Sequence, residues 1–155
     1  MTSMIDGAAV RQVITGIRVE KAAATLPQTA TQALFTVAGG RVLITALVGE
    51  VTVVVPAVAN GSRITFDPDA VGATQDLCAD LDITGDAVGE TYTISGTVAN
   101  AMRSDLLIGN PVLQDPLVVA EGSIGLYCGG NSVTGATAWT IVYVPLDDGA
   151  YVVSA

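Results

Sequence analysis

Residues 33–56, "ALFTVAGGRVLITALVGEVTVVVP", decide the fold: the stretch is apolar almost without interruption and carries the chain's longest strand signal. Successive side chains of a strand point to opposite faces, so a half-exposed strand should alternate apolar with polar residues. Here Leu43, Ile44, Ala46, Leu47, Val48, Val51, Val53, Val54 and Val55 leave neither face clearly wet. Strands apolar on both faces normally lie between the helical layers of a parallel sheet, and the sequence offers no convincing amphipathic helices for such layers. A two-sheet sandwich covers one face of each sheet by itself. The second face then calls for neighbouring subunits, and a closed symmetric homo-oligomer is the default. The alternative is that Ala, Thr and Val form a tolerable outer surface, since folded proteins expose much apolar area.

Working outward, the 155 residues suit one domain with a sizeable core. Half are hydrophobic, yet only 5% are aromatic and 14% charged, so the apolar mass is Val, Ala, Leu and Ile alongside abundant Thr and 17 Gly. That composition favours strands and turns over helices and argues against disorder. Turn signals at Gly39-Gly40 and Asn60-Gly61 separate strand-like runs, the first flanked as a hairpin would be. "DLCADLDI" (76–83) and "TYTISGTVA" (91–99) alternate as strands, while 100–115 is the least regular stretch. "GSIGLYC" (122–128) and "TAWTIVYV" (137–144) read as a long hairpin with Trp139, Ile141 and Tyr143 on one face and Thr140, Val142 and Val144 on the other. Eight to ten short strands with turns between them predict an all-β fold: a single-domain antiparallel β-sandwich, jelly-roll-like, with the strand order left open.

Residues 1–21 are ambiguous. Val10, Val13, Ile14 and Ile17 sit at helical spacing behind a possible Asp6 cap, but β-branching and Gly16 oppose a helix. The expectation is an N-terminal extended arm or edge strand over 1–21, followed by a β-sandwich domain over 22–155. The net charge of −9 is uneven: residues 1–21 hold three basic against two acidic residues, the remainder three against thirteen. A basic lead segment on an acidic body suggests docking onto another protein, with Arg11, Arg18 and Lys21 as candidate contacts. Nucleic acid is not an expected partner, because phosphate binding needs a basic face. Nor is a membrane: there is no polybasic patch, no signal-peptide pattern, and the apolar run at 42–59 is broken by Gly49, Glu50, Thr52 and Pro56. Synthesis in a cytoplasm is expected.

Catalytic chemistry is not legible. With no His and a single Lys, the commonest general base and Schiff-base chemistry are missing, and no P-loop, dinucleotide or nucleophile-elbow motif occurs. The chain is therefore expected to be no enzyme and to need no cofactor. Asp80, Asp82, Gly85 and Asp86 match part of an EF-hand, but the twelfth position is Thr91, so no metal site is assigned. Asp147-Asp148 fit a turn better than a glycosidase pair. Cys78 and Cys128 read either as two buried free thiols or as a disulfide. Tyr127, Trp139 and Tyr143 are candidates for core or subunit-interface packing.

Two segments, "LPQTATQALFTVAGGRVLITALVGEVT" (26–52) and "WTIVYVPLDDGA" (139–150), make the chain resemble small virion structural proteins of tailed bacteriophages, especially those of actinobacterial hosts. The resemblance implies a capsid decoration (cement) protein: a β-rich homotrimer bound to the major capsid protein lattice on the virion surface and made in the host cytoplasm. It further implies an arm over 1–21 laid on the capsid. A phage tail or fibre component, or a ligand-binding β module for glycan or calcium, are the alternatives.

Overall fold

The computed structural model describes residues 7–106, 109, 115–131 and 134–155. One helix, α1 (Gly7–Thr15), precedes the strands β1 (Ile17–Thr25), β2 (Ala30–Ala38), β3 (Val42–Val53), β4 (Gly61–Pro68), β5 (Gln75–Asp76) and β6 (Leu81–Asp82). Then come β7 (Glu90–Thr93), β8 (Arg103–Leu106), β9 (Leu117–Val119), β10 (Gly122–Cys128), β11 (Ala136–Pro145) and β12 (Tyr151–Ser154). The first sheet runs β1-β11-β3-β7-β8, with β9 sharing β3's edge with β7; the second runs β12-β2-β10-β4-β5, with β6 beside β5 on β4.

Every pairing between these strands is antiparallel, and the pairs fold one long hairpin over on itself. β1 pairs with β11, β2 with β10, β3 with β7 and β9, β4 with β5 and β6. Successive strands β1 to β4 alternate between the sheets, which is the jelly-roll order. The all-β sandwich expected from composition is thus the observed architecture.

The long apolar stretch resolves at β3. Val42, Ile44, Leu47 and Val51 point inward and are fully buried, but the step from Ile44 to Leu47 breaks strict alternation. The register with β11 shifts twice, at Thr45 and at Thr52, where one extra β3 residue is inserted. In both bulges the extra residue is a threonine whose Oγ1 donates to the facing carbonyl, Thr45 to Val142 and Thr52 to Ala136, each at 3.2 Å. Adjacent apolar residues in the sequence therefore straddle a bulge and still reach the correct face. The same buried cluster holds Ile141 and Trp139 of β11, Phe35 and Val37 of β2, Ile64 of β4, and Ile124 and Leu126 of β10. Each such buried side chain contributes about 1.5–3 kcal/mol of transfer free energy.

Four expectations need correction. Gly39-Gly40 is not a hairpin turn: β2 and β3 belong to different sheets, and the pair (φ +75° and +132°) carries the chain across the sandwich. A side chain at Gly39 would lie 2.3 Å from the Gly149 carbonyl oxygen. β10 and β11 likewise face each other across the core, although Trp139, Ile141 and Tyr143 do share the buried face. A glycine-rich reversal serves a sheet-to-sheet arch as well as a hairpin, so local sequence could not separate the two. "DLCADLDI" forms only the two-residue strands β5 and β6 around buried Leu77, Cys78 and Ile83.

The fourth correction concerns the N-terminal arm. Its described part is α1 followed by β1, an edge strand of the body that passes residue 21 and continues to Thr25. Helical spacing prevailed over β-branching for nine residues, and Gly16 (φ +100°) ends the helix, its N–H bonded to the Gln12 carbonyl at 2.9 Å. Residues 1–6 and part of 100–115 lie outside the described residues.

Candidate functional site

The outer face of the first sheet is a surface that strand alternation alone does not explain. Register places Val144, Leu43 and Val118 in one row across β11, β3 and β9. Val142 and Ala46 face each other next, then Thr140 and Val48, then Ala138 and Glu50. Val118 and Val144 are exposed, and Leu43, Ala46, Val48 and Val142 half-buried. Small side chains at Ala138 and Ala22 leave a trough of about 470 Å³, lined also by Thr140 and Trp139 and walled by Arg18, Lys21, Glu20 and Glu50. Apolar residues on both faces of β3 are therefore real, and no described segment of the chain lies over the outer one.

Beyond the end of this face stands α1. Its Ala9 and Gln12 form a shallow pocket with Ile17, Tyr143, Val144 and Pro145. Val10 and Ile14, one turn apart, are 40% and 75% exposed. An apolar stripe on a surface helix normally faces a core; here Val10 and Ile14 face solvent.

The candidate basic contacts separate. Arg18 pairs with Glu20 on β1, and Lys21 Nζ donates to the carbonyl of Ala155 at 2.6 Å, tying β1 to the C-terminal residue. Arg11, on α1, is exposed. The candidate aromatics separate too. Trp139 and Tyr143 are buried inside the sandwich. Trp139 stacks on Tyr92 with centroids 6.3 Å apart, and its Nε1–H donates to Thr137 Oγ1 at 3.0 Å. Tyr127 lies half-buried on the second sheet, paired with Arg63 and Thr31 in the register.

Sequence reasoning missed what Tyr127 does. The Arg63 guanidinium sits 4.1 Å from its ring centroid and donates to Asp76 through Nε and to Asp80 through Nη1, each at 2.8 Å. One arginine thus clasps the acidic 75–80 segment to the sheet, with cation–π support. The only signal was a single basic residue in "NGSRITFD" ahead of an acidic run. Beside this clasp, Thr31, Ala33, Thr65, Asp67, Thr74, Ser123 and Gly125 line a polar groove of about 260 Å³.

Asp82 and Asp86 have separate partners. Asp82 accepts from Thr84 and from the Asn60 N–H, which hold its carboxyl below the usual range. Asp86 accepts from the Tyr92 hydroxyl at 2.6 Å, and its burial raises its pKa. Among the described residues, no three of His, Cys, Asp and Glu converge as a metal-binding group. Both cysteines are free and buried: Cys78 Sγ accepts from the Ile64 N–H at 3.2 Å, and Ser62 Oγ lies 3.3 Å from Cys128 Sγ. At the opposite rim Arg41 grips Asp147 through its N–H, Nε and Nη2 at 2.8–2.9 Å, which pulls the Asp147 pKa down to about 2. No helix among the described residues is long and apolar enough to cross a membrane.

No family model, curated protein or solved structure matches the chain.

Proposed function

We propose that this chain is a structural protein of a tailed-phage virion: a homotrimeric decoration protein that binds the major capsid protein lattice from outside and cements it. The uncovered apolar outer face of the first sheet carries this reading, because a monomer would leave Leu43, Val118, Val142 and Val144 facing water. Subunits that cover this face on one another gain its transfer free energy on assembly. The two segments that carry the phage resemblance support it as well. They lie side by side, β3 against β11, with Arg41 and Asp147 clasped where they meet.

A cement acts by mass action. A ligand that binds only the assembled lattice shifts the equilibrium toward it, and three linked contact surfaces raise the effective concentration of each. Such a role needs shape, stability and an acidic, soluble exterior rather than a reactive centre. Of the three candidate contacts, Arg18 is exposed but paired with Glu20, Lys21 is bonded to the Ala155 carbonyl, and Arg11 is exposed on α1.

Co-sedimentation with capsids of the parent phage lacking this protein tests the reading. Saturable binding in multiples of three, with raised capsid melting temperature, is the expected result. Failure to bind expanded capsids at micromolar concentration would refute the capsid role. The polar groove over Gly125 favours a second reading, a glycan-binding module. That reading predicts a thermal shift with oligosaccharides, which Ser123→Trp would abolish.

A further inference from the structure

We infer that the outer edge of β12 is a strand-docking site, and that its occupant is an extended segment of the capsid protein, taken up as one more strand of the second sheet. The inference rests on the capsid reading above for the identity of the partner; the chemistry of the edge fixes that the partner binds in extended form.

β12 ends the second sheet on one side and pairs with β2. One bond sets the phase of that pairing: the Ala155 N–H donates to the Leu34 carbonyl at 3.1 Å. Opposed residues of an antiparallel pair alternate between exchanging hydrogen bonds and exchanging none. Two and four residues back, Val153 opposite Thr36 and Tyr151 opposite Ala38 are therefore bonded pairs. The N–H and C=O groups of Val152 and Ser154 then point away from β2, and among the described residues they have no hydrogen-bond partner on that side. The Val152 side chain is buried and anchors the strand, while Tyr151 and Val153 are 49% and 44% exposed on the outer face.

The other edges are guarded. β1 carries Arg18, Glu20 and Lys21 and breaks register between Lys21 and Ala24. β8 holds Arg103 and Asp105 within four residues, and β5, β6 and β9 run only two or three residues. Charge, irregular register and shortness are the devices that keep a sheet edge from pairing. β12, Tyr-Val-Val-Ser, has no charge, no proline and no break in register. Outward N–H and C=O groups repeating along one edge are matched together by another extended backbone, as in β-augmentation. Tyr151 and Val153 offer that strand apolar cross-strand contacts. A second copy of this chain fits less well. β12 against β12 is a two-fold contact, which pairs subunits and does not close a ring of three, and the guarded edges offer β12 no open strand. The edge is short, so each docked strand binds weakly, and an oligomer that presents several such edges supplies the affinity.

The test uses the full chain, three variants, and capsids of the parent phage lacking this protein. Binding is read by co-sedimentation, fold by far-UV circular dichroism, and the edge by hydrogen exchange with mass spectrometry. Proline lacks the N–H and is tolerated on the open side of an edge strand. Ser154→Pro should therefore keep the fold and weaken capsid binding tenfold or more, while Ser154→Ala should bind as wild type does. Val153→Lys, which places a charge on the edge strand, should weaken binding as well. The amides of Val152 and Ser154 should exchange rapidly in the free protein and much more slowly on the capsid. A folded Ser154→Pro that binds as tightly as wild type, or unchanged exchange at these amides in the bound protein, overturns the edge assignment and leaves the capsid reading standing. Wild type that does not bind capsids overturns both. An even-numbered wild-type oligomer that Ser154→Pro dissociates would make a second copy the occupant and overturn the partner named here. Should Ser154→Pro fail to fold, the exchange comparison on wild type decides.

Discussion

Replacing Gly49 with alanine should destabilise the protein, and the reason lies in one ring. Gly49 pairs with Trp139 on one side of β3 and with Tyr92 on the other, beneath the Tyr92–Trp139 stack. A Cβ there would lie 2.7, 2.8 and 2.9 Å from indole Cη2, Cζ2 and Cε2. The indole has little room to give: it is 2% exposed, and its N–H is bonded to Thr137 Oγ1. Overpacking of this kind costs about 1–3 kcal/mol, against which alanine recovers about 0.4–1 kcal/mol by restricting the unfolded chain. The net loss is about 0.5–2 kcal/mol, or a Tm lower by about 1–8 °C for a chain of this size. Urea denaturation followed by circular dichroism would measure it. A double-mutant cycle isolates the cause: in a Trp139→Leu background, where the ring is gone, Gly49→Ala should cost little or become stabilising. A Gly49→Ala protein as stable as wild type, or the same penalty with and without the indole, would refute the reasoning.

Further expected outcomes concern acid and thiols. Asp147 has a folded pKa depressed to about 2 by Arg41, so its stabilising contribution is full above its unfolded pKa of about 3.9. That contribution is lost as pH falls through about 2. The urea midpoint of wild type should therefore drop more steeply between about pH 4 and pH 2 than that of Asp147→Asn; parallel profiles would contradict this. Burial pushes the Cys78 thiol up to about 11 and raises Cys128 as well. Neither should react with a thiol reagent in the native protein at pH 8, and both should react in denaturant. Rapid native labelling, or fewer than two thiols in denaturant, would contradict the buried free cysteines.

The class of the fold was legible because composition and alternation report burial directly. Trp139, Ile141 and Tyr143 announced their shared face, and β11 has it. Strand partners were not legible, because Gly39-Gly40 and the 129–135 connection mark only that the chain reverses. Whether it returns in the same sheet or the facing one depends on contacts distant in sequence. The apparent loss of alternation in β3 had a local cause, two threonine bulges, that no period-two pattern reveals. Of the candidate site, the apolar outer face was readable from Leu43, Ala46 and Val48. The separation of Arg11 from Arg18 and Lys21 was not, since it depends on Glu20 and on the C-terminal residue, 134 positions from Lys21. The Arg63 clasp was hidden for the same reason: its partners Tyr127, Asp76 and Asp80 meet only once β4 and β10 pair.

The central claim is that neighbouring copies of this chain cover the outer face of the first sheet. Light scattering of the purified protein from micromolar to tens of micromolar tests it most directly. The account predicts a single species at three times the 15.7 kDa chain mass. A monomer across that range would contradict it.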